Sequence, residues 1–96
     1  MPEQLNTRVE DCFQLAESFF KRPFKRPVVS LKLRGQKAGV AHLHENLLRF
    51  NPQLYRENTE DFLKQTVAHE VAHLIAHQLF GERIQPHGEE LSLIHI

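Results

Sequence analysis

Ninety-six residues suffice for one small domain with a modest core, marginal unless a metal, a partner or further chain supports it. Its twelve basic and twelve acidic side chains cancel, so no overall field selects a charged partner, and the single cysteine, Cys12, excludes an internal disulfide and a cysteine-based zinc site. There is no apolar signal-peptide core at the N-terminus and no apolar run of membrane-spanning length, so the expected setting is the reducing cytoplasm, with no membrane partner.

From about Glu3 to Phe20, Leu5, Val9, Cys12, Phe13, Ala16, Phe19 and Phe20 recur at three- and four-residue spacing, which predicts an amphipathic helix ended by Pro23. Residues 21–27 are a basic, proline-bearing linker of extended backbone. Val28 to Leu33 alternates as a strand with Val29, Leu31 and Leu33 on one face, and residues 34–39 carry turn chemistry. Val40, Ala41 and Leu43 predict a returning strand, and Leu47 to Phe50 a third one. Asn51 is suited to cap a short helix from Pro52 to about Glu57.

A long helix is predicted next, capped by Asn58 or Thr59, with Glu60 and Asp61 in its first turn and Gly81 at its end. Phe62, Leu63, Val67, Val71, Leu74, Ile75 and Leu79 give it apolar faces broad enough to predict burial on most sides. Helix, strands, short helix, buried helix is an α+β order, with a small three-stranded antiparallel or mixed sheet and no second domain.

That helix carries His69-Glu70-Val71-Ala72-His73, the HExxH pattern. Histidines four apart lie one turn apart on one face, where both rings reach a single metal ion. The adjacent glutamate is placed to act as a base on a water held by that metal. Read instead as polar residues of a surface helix, the three would interrupt an otherwise apolar stretch, and buried imidazoles and a buried carboxylate are costly unless paired or metal-bound.

A catalytic zinc site needs a third protein ligand. The metzincin spacing fails, because Leu79 stands where its histidine belongs and Ala76 where its glycine belongs. His87 is the stronger choice, since the chain turns after Gly81 and Pro86 and Gly88 flank it; Glu89 or Glu90 is the weaker one. His77 has drifted by about 80° around the axis and roughly 12 Å along it, and reads as a partly exposed or hydrogen-bonded histidine. His42 and His44 are alternate residues of one strand and read as surface positions on a common face.

Charge is unevenly spread. Lys21, Arg22, Lys25, Arg26, Lys32, Arg34 and Lys37 fall in a span from Ser18 to His44 that holds no acidic residue. Such a span is either a solvated basic face or a phosphate-contacting surface for DNA.

Residues His69 to Gly81 followed by Pro86-His87-Gly88, with Arg34-Gly35, Ala38-Gly39 and Leu48-Arg49-Phe50-Asn51-Pro52 upstream, resemble the SprT-like family of zinc metallopeptidases over about residues 5 to 90. The resemblance implies a minimal zincin-like fold, Zn2+ as cofactor, His69, His73 and His87 as its ligands and Glu70 as general base. In eukaryotic relatives such as Spartan it implies DNA-dependent proteolysis of DNA-crosslinked proteins. Two departures stand out: the aromatic residue and helix that follow the family's Pro-His-Gly turn are replaced by Glu89-Glu90-Leu91-Ser92, and the family's Cys-rich zinc ribbon is absent. The ending from Leu91 to Ile96 resembles translated adapter sequence, so the expected domain is 1–90 with 91–96 a non-native tail.

The expected function is zinc-dependent hydrolysis of a protein or peptide substrate, possible partners including DNA through the basic span, with the strand from Gly39 to His44 as an edge for the substrate backbone. The alternative is a non-catalytic, zinc-stabilised DNA-binding or adaptor module, or a non-peptidase hydrolase with the same ligands. An intact Glu70 favours hydrolysis, since a structural site needs no base.

Overall fold

In the computed structural model, which describes residues 3–81, Glu3–Phe20 forms α1. Its stripe of Leu5, Val9, Cys12, Phe13 and Ala16 is buried in the main core. Burial also pushes the Cys12 thiol up to about 11, so it packs as an inert apolar residue. Phe19 departs from expectation and is 72% exposed: it meets the Phe20 ring edge to face at 4.9 Å on the outside of the core, while buried Phe24 approaches Phe20 at 6.2 Å.

The basic segment after α1 is a packed strap rather than a loose linker. Phe24 is buried, and the Lys25 backbone donates to and accepts from the Gln78 side-chain amide at 2.9 and 3.0 Å. Arg26 lies over the Phe13 ring, 5.0 Å from its centroid. Its guanidinium donates to Glu10 at 2.9 Å through two nitrogens and to Glu17 at 2.8 and 3.0 Å. These charge-assisted bonds tie the strap to α1.

Three strands follow: β1 (Val28–Ser30), β2 (Gly39–His42) and β3 (Leu47–Phe50). The order is β1-β3-β2, β1 running parallel to β3 and β2 antiparallel to it. The sheet is therefore mixed, and the returning strand does not pair with β1. The tight turn lies between β2 and β3, where Asn46 takes a φ of 51° and its side chain donates to the Arg26 carbonyl at 3.1 Å. Leu43 and His44 belong to that turn, so His42 and His44 do not share a strand face. The predicted strand to Leu33 stops at Ser30, although Leu33 is buried and its N–H still reaches the Phe50 carbonyl at 3.4 Å.

Asn51 caps α2 (Pro52–Glu57) as expected. Only 3% exposed, it accepts from the N–H groups of Gln53 and Leu54 at 3.0 and 3.3 Å, while its amide donates to the carbonyls of Gly35 and Lys37 at 2.9 and 3.2 Å. One buried side chain thus joins the 35–37 loop to the start of a helix.

From Thr59 the backbone stays helical through α3 (Thr59–Asp61), a π-helical segment (Phe62–Thr66) and α4 (Val67–Phe80). Asn58 stands at the N-cap position, as expected, but its side chain makes no capping bond: it donates to Asp61 at 3.2 Å, and Thr59 donates to the Tyr55 carbonyl at 2.8 Å. In the π segment the Val67 N–H donates to the Phe62 carbonyl five residues earlier, one more than in an α-turn, which brings buried Phe62 and buried Val67 onto one face. Arg8 donates to the Leu63 carbonyl within it at 2.8 Å. Gly81 ends α4 with a φ of 71°, backbone that only glycine adopts freely.

The fold is α+β, as the element order implied. His87, Glu89, Glu90 and residues 91–96 lie outside the described residues.

Candidate functional site

α4 is buried along Val67, Ala68, Val71, Ala72, Leu74, Ile75 and Ala76. The HExxH side chains occupy the remaining arc: His69 is exposed, and Glu70 and His73 are half-buried. Burial on most sides, including around the triplet, is therefore not what the structure shows. The helix packs through one broad face against α1 and the sheet, and its polar residues collect where that packing leaves an opening. An opening is what a hydrolytic site requires, since substrate must reach the reacting atoms.

The Nε2 atoms of His69 and His73 lie 3.0 Å apart, with ring centroids 4.5 Å apart and planes at 87°. With Zn–N bonds of about 2.0–2.1 Å, two nitrogens in adjacent tetrahedral positions stand roughly 3.3–3.4 Å apart. The observed separation is a few tenths of an ångström shorter, that of a ring-to-ring hydrogen bond, so the two nitrogens converge on one point without standing at ligand spacing. No group of three His, Cys, Asp or Glu able to hold a metal occurs among the described residues, and the expected third ligand, His87, is not one of them.

His69 and Glu70 line a cleft of about 400 Å3 whose other walls are Lys37, Ala38 and Gly39 at the start of β2, and Gln65 and Thr66 in the last part of the π segment. Glu70 therefore opens toward the same space as His69, as its position beside that histidine implied. Gly39 comes so close to α4 that a Cβ built on it would stand 3.1 Å from Glu70 Cγ.

Among the described residues, His42, His44 and His77 do not complete a metal-holding group with this pair. His44 and His77 meet edge to face at 5.5 Å, and His42 keeps its Nε2 buried with no hydrogen-bond partner among the described residues. The basic span is divided among several settings. Arg26 is neutralised by Glu10 and Glu17, Arg22 lies over the Phe24 ring at 5.2 Å, and Lys37 stands at the cleft. Lys32 and Arg34 border a second cavity, of about 560 Å3, together with Arg56, a cation outside the span.

Sequence reading placed Gly39 only at the start of a substrate-pairing edge and missed Ala38, Gln65 and Thr66 as walls of the cleft. None carries a periodic or charge signal, and their roles come from contacts between distant segments.

A family model of the SprT-like family matches residues 9–95. The chain belongs to the SprT-like family. Protein SprT of Pseudomonas fluorescens strain Pf-5 is 98% identical over 94 residues, which are 98% of this chain and 57% of that protein. The same protein of strain Pf0-1 is 96% identical over the same shares, and that of Pseudomonas syringae pv. syringae is 82% identical. The chain thus spans 57% of the length of these SprT relatives. No solved structure matches it. Among the described residues of this family member, no helix is long and apolar enough to cross a membrane.

Proposed function

We propose that the chain carries the catalytic helix of a zinc-dependent peptide hydrolase with a zincin-like fold, in which His69 and His73 hold Zn2+ together with His87. The observation that supports this is the approach of two imidazole nitrogens to 3.0 Å beside a glutamate that lines the same cleft. Zinc supplies Lewis acidity there, lowering the pKa of water toward neutrality and polarising the scissile carbonyl.

The rest falls to the chain's own side chains. Glu70 takes the proton of the attacking water at its carboxylate and passes it to the leaving amine. β2 is an edge strand bordering the cleft through Gly39, and an extended substrate backbone pairs along it. Lys32, Arg34 and Arg56, gathered at one cavity, supply phosphate contacts that bring the site to DNA-associated proteins. The buried thiol of Cys12 suits a cytoplasmic setting.

The test uses the zinc-loaded full-length protein with a DNA-binding protein as substrate, with and without DNA. Cleavage that needs zinc and is abolished in Glu70→Gln, which keeps its zinc, is the expected result. Zinc and DNA binding without cleavage would select the non-catalytic module instead.

A further inference from the structure

Gly39 opens β2 and pairs with Phe50 in the antiparallel register. A Cβ built on it would meet Phe50 Cδ1 at 3.0 Å, Phe50 Cε1 at 3.2 Å and Glu70 Cγ at 3.1 Å, all inside ordinary van der Waals contact. The two neighbours differ in what they can concede. Phe50 is fully buried and packed edge to face against Phe62 at 5.6 Å, so its ring is fixed by the surrounding core. Glu70 is half-buried and borders the open cleft. A side chain at position 39 would therefore press the start of β2 off the fixed phenylalanine ring, and of the two neighbours it is the glutamate that would yield, toward the cleft.

We infer that Gly39 is a positioning residue for Glu70: its bare Cα lets the glutamate stem lie against the edge strand and sets where the carboxylate stands relative to His69 and His73. The inference rests on the reading of Glu70 as the base. The displacement required is a few tenths of an ångström. A misplacement of about 1 Å can cost roughly 100-fold in rate, so a loss of about tenfold is the scale expected for a methyl group here. The three atoms nearest such a Cβ belong to Phe50 and Glu70 and none to the histidine pair, so metal binding is expected to be spared.

The test is Gly39→Ala in the full-length protein. A crystal structure should show Phe50 in place and the Glu70 side chain shifted away from β2, with the His69–His73 separation unchanged. Zinc affinity should stay within about twofold, while kcat falls about tenfold at a KM within about twofold, the mark of an interaction made in the transition state. Adding Phe50→Leu, which removes the ring contacts, should restore part of that kcat despite a weaker core; a purely structural role would make the two losses accumulate. The inference is overturned if Phe50 moves and Glu70 stays, if kcat is unchanged in an active protein, or if the loss follows zinc affinity or folding. A wild-type protein that binds zinc but cleaves nothing defeats the hydrolase reading instead, and the crystallographic comparison still decides which neighbour yields.

Discussion

Asn51→Ala removes a side chain that ties the loop before the cleft wall to a helix start. Its oxygen accepts two α2 N–H groups and its amide donates to the Gly35 and Lys37 carbonyls, all at 3.3 Å or less in a site only 3% exposed. Losing an N-cap of this kind costs about 1 kcal/mol. Each of the two donated bonds is worth about 0.5–1.5 kcal/mol net, more if the carbonyls stay dry. The sum is about 2–4 kcal/mol, which in the longer full-length protein lowers Tm by roughly 5–15 °C. Urea unfolding of the full-length protein followed by circular dichroism measures it. Asn51→Ser keeps the cap but is too short for the loop, and should recover about 1 kcal/mol. Both variants should become more sensitive to proteolysis between Arg34 and Ala38. An alanine variant within about 0.5 kcal/mol of wild type, the usual scatter of surface changes, would refute the account.

The carboxylates of Glu10 and Glu17 are held down by hydrogen bonds from Arg26, Glu17 from its ordinary 4.5 to about 2. A depressed folded pKa means that the unfolded state binds protons more readily, so this stability is present above about pH 4.5 and drains as pH falls toward 2. Arg26→Ala should flatten the stability profile between those limits, read as urea midpoints at several pH values; a profile parallel to wild type would dismiss the clamp. His73→Ala should weaken zinc binding by more than about 100-fold, since even a residue supporting a ligand is worth about 10- to 100-fold, and competition with a chromophoric chelator measures it. If DNA binds at the Lys32, Arg34 and Arg56 cavity, replacing each by Gln should lower the slope of log affinity against log salt by about 0.9 per lost phosphate contact. Arg26→Gln should leave that slope unchanged, and an equal effect from Arg26 would relocate the binding surface.

What could be read from the chain was chemistry that completes itself locally. The α1 stripe, the Asn51-Pro52 helix start, the Gly81 stop and the HExxH spacing each need only residues a few positions apart, so each was visible in order along the sequence. Arg26 illustrates the opposite case. In a run of basic residues it reads as one more solvated cation, yet carboxylates 9 and 16 residues earlier surround it in the fold. Strand order failed for the same reason: alternation marks a strand but not its neighbour, and β3 enters between β1 and β2.

The site combines both kinds of information. The pentad supplies the His69–Glu70–His73 face, but a helix with apolar residues on several sides does not reveal which arc will stay open. That arc depends on the phase of α4, set after a five-residue step from Phe62 to Val67, and on the Lys37–Gly39 wall that approaches from the edge strand. Asn51 holds the loop leading into that wall and Gly39 lets it come close, so these two positions carry the part of the site that the motif does not encode. On the proposed hydrolase reading, substitutions in the motif should therefore act on metal binding or on the proton transfer itself. Substitutions at Asn51 and Gly39 should leave the metal in place and act through the wall, Asn51 by loosening its attachment and Gly39 by altering where Glu70 rests against it.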